Sequence, residues 1–481
     1  MDFYFVELTL FRLNGESFAG KTLVIFERVY VEDETGTHLV ASHTDPLDEN
    51  QTIHVPKIWT NAIDVETQTN ISYADETAII KDTVSYENLI PGLTYELHGR
   101  VIDRKKTLES GGKEVVVVGT DGKPAENKVV FTPDTANGEQ ELTFDIDLKK
   151  YVDDLNKSYA GAVFVVYEDL YVIQRYDGAD DRSIVASHTD INDENQTIYL
   201  PKITTSLDDF KTKTKLSYAE KDAHLVDTIN YYNMKPSTQY TVKGRLYNME
   251  DGKVLEGSEK VQQFTSNATG TGSWKLDYTF DASNMKGMIV VAYAEVYIGD
   301  KVVATHDEFW DVEERVYFPG ITTDAMEKST GENIGLASKE LDIIDTVHYK
   351  SLSPGYTYRL VTELRDQATG DIVVDDANNK QVLTTYFKTD FELLDKQYLT
   401  FGDIIPQSSK HRDVTFCLDA EYFAGRTLVI YERLYLDNET GEHLIADHQD
   451  LLDERQTIPI GDLWTEAIDM DNFTKTLHTD T

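Results

Sequence analysis

Cysteine is nearly absent from this sequence: Cys417 is the only one among 481 residues. One thiol cannot close an internal disulfide, so a secreted protein of this composition needs some other cross-link or does without. Basic residues are scarce as well. Lys plus Arg number 45 against 86 Asp plus Glu, a net charge of −41, which repels phosphate backbones and anionic headgroups and so excludes nucleic-acid and electrostatic membrane binding. No run approaches the ~18 consecutive apolar residues of a membrane span, so no membrane insertion is expected of this segment. Met1-Asp2-Phe3-Tyr4 lacks the basic start of a signal peptide. No long 3.6-residue apolar periodicity appears either; only Leu148 to Leu155 reads as a short helix.

What is present is aromatic and repetitive. Twenty-eight Tyr and 19 Phe supply enough burial to offset chain entropy, which excludes disorder. The length exceeds the roughly 250–300 residues over which one core can grow, so several domains in series are expected. Strand-like runs ending in aromatic-Glu-x-x-Tyr recur at Phe26-Glu27, Tyr167-Glu168 and Tyr431-Glu432. Each is followed by a His and, eight residues on, a Gln: His43 and Gln51, His188 and Gln196, His448 and Gln456. Pro56 to Thr60, Pro201 to Thr205 and Pro319 to Thr323 each open a repeat, and Asp82-Thr83-Val84, Asp227-Thr228-Ile229 and Asp345-Thr346-Val347 follow 22 residues after the Thr.

Constant spacing of four blocks argues for one shared topology. It divides the chain into 1–55, the back part of a truncated repeat; the repeats 56–200, 201–318 and 319–460; and 461–481, the first strand of another truncated repeat, as in a segment cut from a longer array. Short alternating runs punctuated by Pro91-Gly92, Pro236-Ser237 and Pro354-Gly355 predict an all-β fold of tandem immunoglobulin-like β-sandwiches forming a rod. Cys417, inside Val414 to Leu418, is expected to be a buried strand residue. Trp59 and Trp464 recur at one position, which favours packing between repeats.

These four blocks resemble the VaFE repeats of Gram-positive cell-surface adhesins, whose members include intramolecular ester-bond domains. The resemblance spans nearly the whole chain. It implies an autocatalytic cross-link in which a Thr hydroxyl attacks a Gln carboxamide and expels ammonia, with two carboxyls sharing a proton as acid and base and a His assisting. Such chemistry suits the residue types, since a weak nucleophile meeting a weak electrophile needs both proton acceptor and donor. In the repeat 56–200 the resemblance assigns Thr60 and Gln196 as the joined pair, with Asp82, Glu168 and His188 as catalytic groups. In 319–460 the same roles fall to Thr323 and Gln456, with Asp345, Glu432 and His448.

Three centres are incomplete. The leading part holds Glu27, His43 and Gln51 without Thr or Asp, and the trailing part offers only Thr465. The third repeat keeps Thr205, Asp227 and His306, but Glu314 stands at the Gln position and Ala294 at the Glu position. Attack on a charged carboxylate is disfavoured, so this repeat is expected to be a spacer that is not cross-linked. Neighbouring Glu295 could serve only through a register slip, which would turn it to the other face.

The expected function is that of a structural stalk segment in a cell-wall-anchored adhesin or pilus-like protein, extracellular on a bacterial surface. It is not an enzyme, since each centre turns over once. Its partners are the neighbouring repeats of the same chain, with any host or surface ligand held by a distal domain outside this segment. No cofactor is implied. Metal is not expected either, since Asp45 to Glu49 and its copies lack the Gly and alternating oxygens of a calcium loop. The runner-up is a carbohydrate- or host-ligand-binding β-sandwich without covalent links. A Lys–Asn isopeptide would need Lys in place of Thr60 and Thr323.

Overall fold

A computed structural model describes residues 10–73, 76–151, 161–176, 179–375, 377–389, 410–470 and 473–475. The chain is all-β. Its strands follow the two-residue alternation of the sequence: along Lys57–Asp64 the buried positions are Ile58, Thr60, Ala62 and Asp64, and along Thr77–Glu87 they are Ala78, Ile80, Asp82, Val84 and Tyr86. Three polar residues, Thr60, Asp64 and Asp82, therefore share the inward phase of apolar neighbours. That is the first structural sign of a built site.

In the repeat 56–200 one sheet has the order Lys57–Asp64, Thr77–Glu87, Gly138–Asp147. The other runs Ala179–His188, Ala162–Tyr176, Thr94–Asp103, Glu126–Phe131, with Thr197–Leu200 also paired to Ala162–Tyr176. Side chains of both sheets meet in one cluster, including Ile58, Ile80, Val84 and Phe144 from the first and Leu97, Val101, Phe164 and Val166 from the second. This is a β-sandwich. In 319–460 the sheets are Gly320–Glu327, Leu341–Lys350, Lys410–Leu418 and Val382–Lys388, Thr357–Asp366, Thr427–Asn438, Gly441–His448, with Thr457–Pro459. The stretch 201–318 repeats the plan. A bulge falls at one place in every hairpin: Val29/Tyr30, Leu170/Tyr171, Val296/Tyr297 and Leu434/Tyr435.

Four expectations need correction. Cys417 is exposed, because Val414, Phe416 and Leu418 take the inward phase of Lys410–Leu418 and the residue between them must face out. Its thiol lies beside Asp342, which pushes it up, as does burial to a lesser degree. Trp59 is 42% exposed with the Lys57 ammonium over its ring, and Trp464 is 77% exposed, so neither packs between repeats. The segment around Thr465 is exposed and not a strand; Lys57–Asp64 pairs with Thr77–Glu87, and no described strand plays that part for residues 461–470. Lys149–Tyr151 is a single 3-10 turn, and the rest of the expected helix lies outside the described residues.

Candidate functional site

In the repeat 56–200, ladder register sets the first half of the site. Thr60 stands opposite Val84 and Ala62 opposite Asp82, so Thr60 and Asp82 are diagonal neighbours on one inward face. The Thr60 hydroxyl donates to Asp82 Oδ1. From the facing sheet comes Glu168, held between Gly99 and His188 in register. Gln196 ends a turn beside it and donates from Nε2 to Glu168 Oε2 at 2.6 Å, and more weakly to the His188 carbonyl oxygen at 3.3 Å. Asp82, Glu168 and Gln196 are wholly buried and Thr60 nearly so.

The carboxyls of Asp82 and Glu168 adjoin. Burial pushes both upward. Glu168 goes well above the usual range because the Asp82 charge stands beside it, while Thr60, Glu168 and His188 pull Asp82 back down. Asp82 Oδ2 and Glu168 Oε1 receive no donor. One proton shared between two adjoining carboxyls accounts for such oxygens, because both cannot ionise in a water-poor pocket. Glu168 is the one that holds it.

The repeat 319–460 builds the same site. Thr323 pairs across from Val347 and Asp345 from Ala325, while Glu432 lies between Thr362 and His448. Gln456 Nε2 donates to Thr323 Oγ1 at 2.8 Å and to Glu432 Oε2 at 2.6 Å. All four side chains are wholly buried. Burial pushes Asp345 up to about 7, against the opposing pull of Glu432 and Thr323. Glu432 stands well above its usual range, through burial and then the Asp345 charge. The two sites display complementary contacts: hydroxyl to base in one, hydroxyl to carboxamide in the other.

The sequence reading missed an aspartate. His188 Nε2 meets Asp193 Oδ2 and His448 Nε2 meets Asp453 Oδ2, both at 2.9 Å. The same contact recurs as His43 to Asp48 at 2.7 Å and His306 to Asp311 at 3.1 Å. The other oxygen of each Asp accepts a backbone N–H two residues on, from Asn50, Asn195, Glu313 and Arg455. One carboxylate thus caps the tight turn that presents the Gln position and moors it to the imidazole. The signal was present, since each of these four His has an Asp five residues later. The imidazole Nε2 faces this Asp rather than the Thr.

The third repeat assembles differently. Ala294 pairs with Gly244 and His306, as Glu168 pairs with Gly99 and His188, so the strand has not slipped. Glu295 lies on the other face and accepts from the Tyr297 hydroxyl at 3.1 Å. Thr205 Oγ1 and both oxygens of Asp227 and of Glu314 are buried without a partner; no hydrogen bond links the hydroxyl to either carboxyl. Burial raises Asp227 to about 7. Burial and then the Asp227 charge raise Glu314 to about 10. Burial and the neighbouring Asp227 charge thus both favour the protonated form of Glu314. His306 Nε2 lies 3.6 Å from Glu314 Oε1.

A second residue escaped the sequence reading here. Tyr278 stands two residues beyond the ladder partner of Asp227, where the other repeats place Phe144 and Phe416. Its hydroxyl is wholly buried and unpartnered, and lies so close to Gly244 that a Cβ there would collide with it. The phenol thus takes space at Gly244, the ladder partner of Ala294. Replacing Ala294→Glu, Glu314→Gln and Tyr278→Phe together is therefore expected to create one more cross-link, read as a further loss of about 17 mass units. With Tyr278 left in place the new Glu is overpacked, and little or no extra loss is expected.

Of the incomplete centres, the leading part retains, besides the His43–Asp48 pair, the bond from Gln51 Nε2 to Glu27 Oε2 at 2.7 Å. Among the described residues, no three His, Cys, Asp or Glu form a metal-binding group, and no helix is long and apolar enough to cross a membrane.

The family described as "T-Q ester bond containing domain" matches residues 5–55, 56–200, 201–317 and 319–460. No curated protein matches the chain. Among solved structures the chain is similar to a bacterial adhesin from Mobiluncus mulieris containing intramolecular disulfide, isopeptide and ester bond cross-links, at 15% identity over 57% of this chain and 90% of that one, with a TM-score of 0.23. It is also similar to a tetra-tandem repeat from the extending region of a large adhesion protein, at 12% identity over 88% and 80%, TM-score 0.19. A third likeness is to three N-terminal domains of the bacteriophage RB49 outer capsid protein Hoc, at 12% identity over 86% and 100%, TM-score 0.31.

Proposed function

This chain belongs to the T-Q ester bond containing domain family, and we propose that its second and fourth repeats each close an ester between Thr60 and Gln196 and between Thr323 and Gln456. One observation carries the reading. In the fourth repeat the carboxamide nitrogen of Gln456 is gripped between the Thr323 hydroxyl and the Glu432 carboxyl, with every group wholly buried.

The reaction follows from that geometry. Asp82 or Asp345 takes the hydroxyl proton as Oγ1 adds to the carboxamide carbon. The acid partner, Glu168 or Glu432, already touches the nitrogen that must leave and protonates it as the C–N bond breaks. Ammonia departs, and the pair regains its single proton from the one the Asp took up. Each carboxamide is consumed once, so the protein is its own substrate and not an enzyme.

An ester survives only where water is kept out, and complete burial provides that. Each bond would tie the first strand of its sandwich to the last. We read the chain as a stalk segment of a bacterial cell-surface adhesin, with the ties resisting tension and proteolysis, and with neighbouring repeats as its partners. A distal domain would hold any ligand. Peptide mapping tests the bonds: a digest should contain one species joining the peptides of Thr60 and Gln196 and another joining those of Thr323 and Gln456, and recovery of the four peptides unjoined would refute the reading.

The pair also predicts a pH dependence. Asp345 must be ionised to act as base, and its folded value lies near 7, whereas Glu432 keeps its proton to higher pH. Lowering pH protonates the base. Cross-linking of chain recovered unlinked from inclusion bodies and then refolded, followed by mass against time, is therefore expected to be at least about tenfold slower at pH 5 than at pH 7.5. Equal rates would show that Asp345 is not the base.

A further inference from the structure

No ester is proposed in the third repeat, yet hydrogen bonds from the fourth repeat's hairpin fasten the two together, and these have no described counterpart between 201–318 and 56–200. Asp447 Oδ1 accepts from the Tyr218 hydroxyl at 3.0 Å and from Lys286 Nζ at 2.9 Å, and the Asp447 carbonyl oxygen accepts from Lys286 at 3.1 Å. At the hairpin tip, Asn438 Nδ2 donates to the Thr212 carbonyl oxygen at 2.9 Å, and Thr440 Oγ1 does so at 3.4 Å. Closer to the linker, the Ser351 hydroxyl donates to the Gly287 carbonyl oxygen at 2.6 Å in a buried bond, and Lys350 pairs with Glu250. Beneath these, Leu216, Met249, Ile289, Val291 and Tyr317 of the third repeat join the buried cluster of the fourth.

Strand length explains why this hairpin reaches back. Beyond the shared bulge, Thr427–Asn438 continues through Tyr435 to Asn438, whereas Met288–Ile298 ends at Ile298, one residue past Tyr297. Two more residues extend a strand by about 7 Å. Asp447 precedes the centre's His448, where Ser187 and Thr305 stand in the second and third repeats.

We infer that the fourth repeat's hairpin clamps the entry of the third repeat, so that the two bear tension as one unit and the cross-linked repeat shields its unlinked neighbour. The inference rests on the stalk reading. Thr212 and Tyr218 lie in the segment that follows Lys202–Thr204 and Leu207–Asp209, the two short strands that pulling from the entry would peel first. Hairpin Thr427–His448 leads into the turn of Gln456, which the proposed ester ties to Thr323. Tension entering the third repeat thus finds a route across the clamp to that tie, in parallel with the third repeat's own ladder. At the preceding junction, Lys235 Nζ reaches Asn70 Oδ1 at 2.9 Å, and no described hydrogen bond runs from hairpin Met288–His306 back to 56–200.

Hydrogen–deuterium exchange on the full chain tests this without applying force. Tyr218→Phe with Lys286→Met removes the donors while leaving the fourth repeat's sequence unchanged. Asp447→Ser removes the acceptor from the other side, using the residue that the second repeat has there. Both variants should speed amide exchange in Ala223–Tyr232 and Gly272–Phe280 by about tenfold, with 56–200 unaffected. Unchanged exchange in the third repeat, or an equal rise in 56–200, overturns the clamp. Intact mass, read on the same samples, reports the esters separately, so absent cross-links and an absent clamp give different results.

Discussion

Intact-mass measurement is expected to find the chain about 34 mass units lighter than its sequence, because two condensations each release one ammonia. Thr60→Ala or Gln196→Ala should return about 17 of them, and Thr323→Ala or Gln456→Ala the other 17. Variants of the proton-handling pair are more telling, since they leave both joined residues in place. Glu168→Gln removes the acid that touches the leaving nitrogen, and Asp82→Asn removes the base that receives the Thr60 proton. Each should return about 17 units although its Thr and Gln remain. A full-length mass with no deficit would end the cross-linking account. A deficit near 52 would show that the third repeat also reacts, since Thr205 could condense with Glu314 only by losing water, about 18 mass units, a step its unpartnered hydroxyl does not foreshadow.

Stability should show the second large effect. A bond between Thr323 and Gln456 closes nearly the whole repeat into a loop, and by analogy with a disulfide this is worth about 5 kcal/mol through the restricted unfolded chain. Thr323→Ala is therefore expected to destabilise the fourth repeat by about that amount, and to accelerate its proteolysis and its unfolding under force even more visibly. The third repeat supplies an internal control. Thr205→Ala deletes the equivalent side chain where no bond is proposed, and it should cost about 1 kcal/mol, the ordinary price of a buried substitution. Denaturant unfolding of the two variants separates the cases, and similar losses would mean that Thr323 contributes packing alone.

How much was legible can be judged residue by residue. Thr60, Asp82 and Glu168 were readable because blocks recurred at constant spacing, and because strand alternation puts each in phase with apolar neighbours. Asp193 and Asp453 were equally visible, five residues after each His, but an Asp in a turn looks like any other cap until its second oxygen is seen on the imidazole. Tyr278 was hidden because exchanging Phe for Tyr barely alters an apolar pattern. Its meaning appears only when the hydroxyl is found against Gly244, the ladder partner of Ala294 on the facing sheet. Cys417 was misjudged by phase: a residue inside an apolar run can belong to the outward half of the alternation.

The sequence by itself determined the β-architecture and the repeat plan, because period and spacing are properties of the chain that need no knowledge of what lies opposite, and its resemblance to a known family named the groups proposed to cross-link. Tertiary structure alone revealed the burial that shifts the carboxyls upward, the Tyr278 hydroxyl packed against Gly244 and the contacts of the fourth repeat's hairpin with the third. Those depend on burial and on contacts between residues far apart along the chain, and neither the field at a carboxyl nor the reach of a hairpin is written in local order.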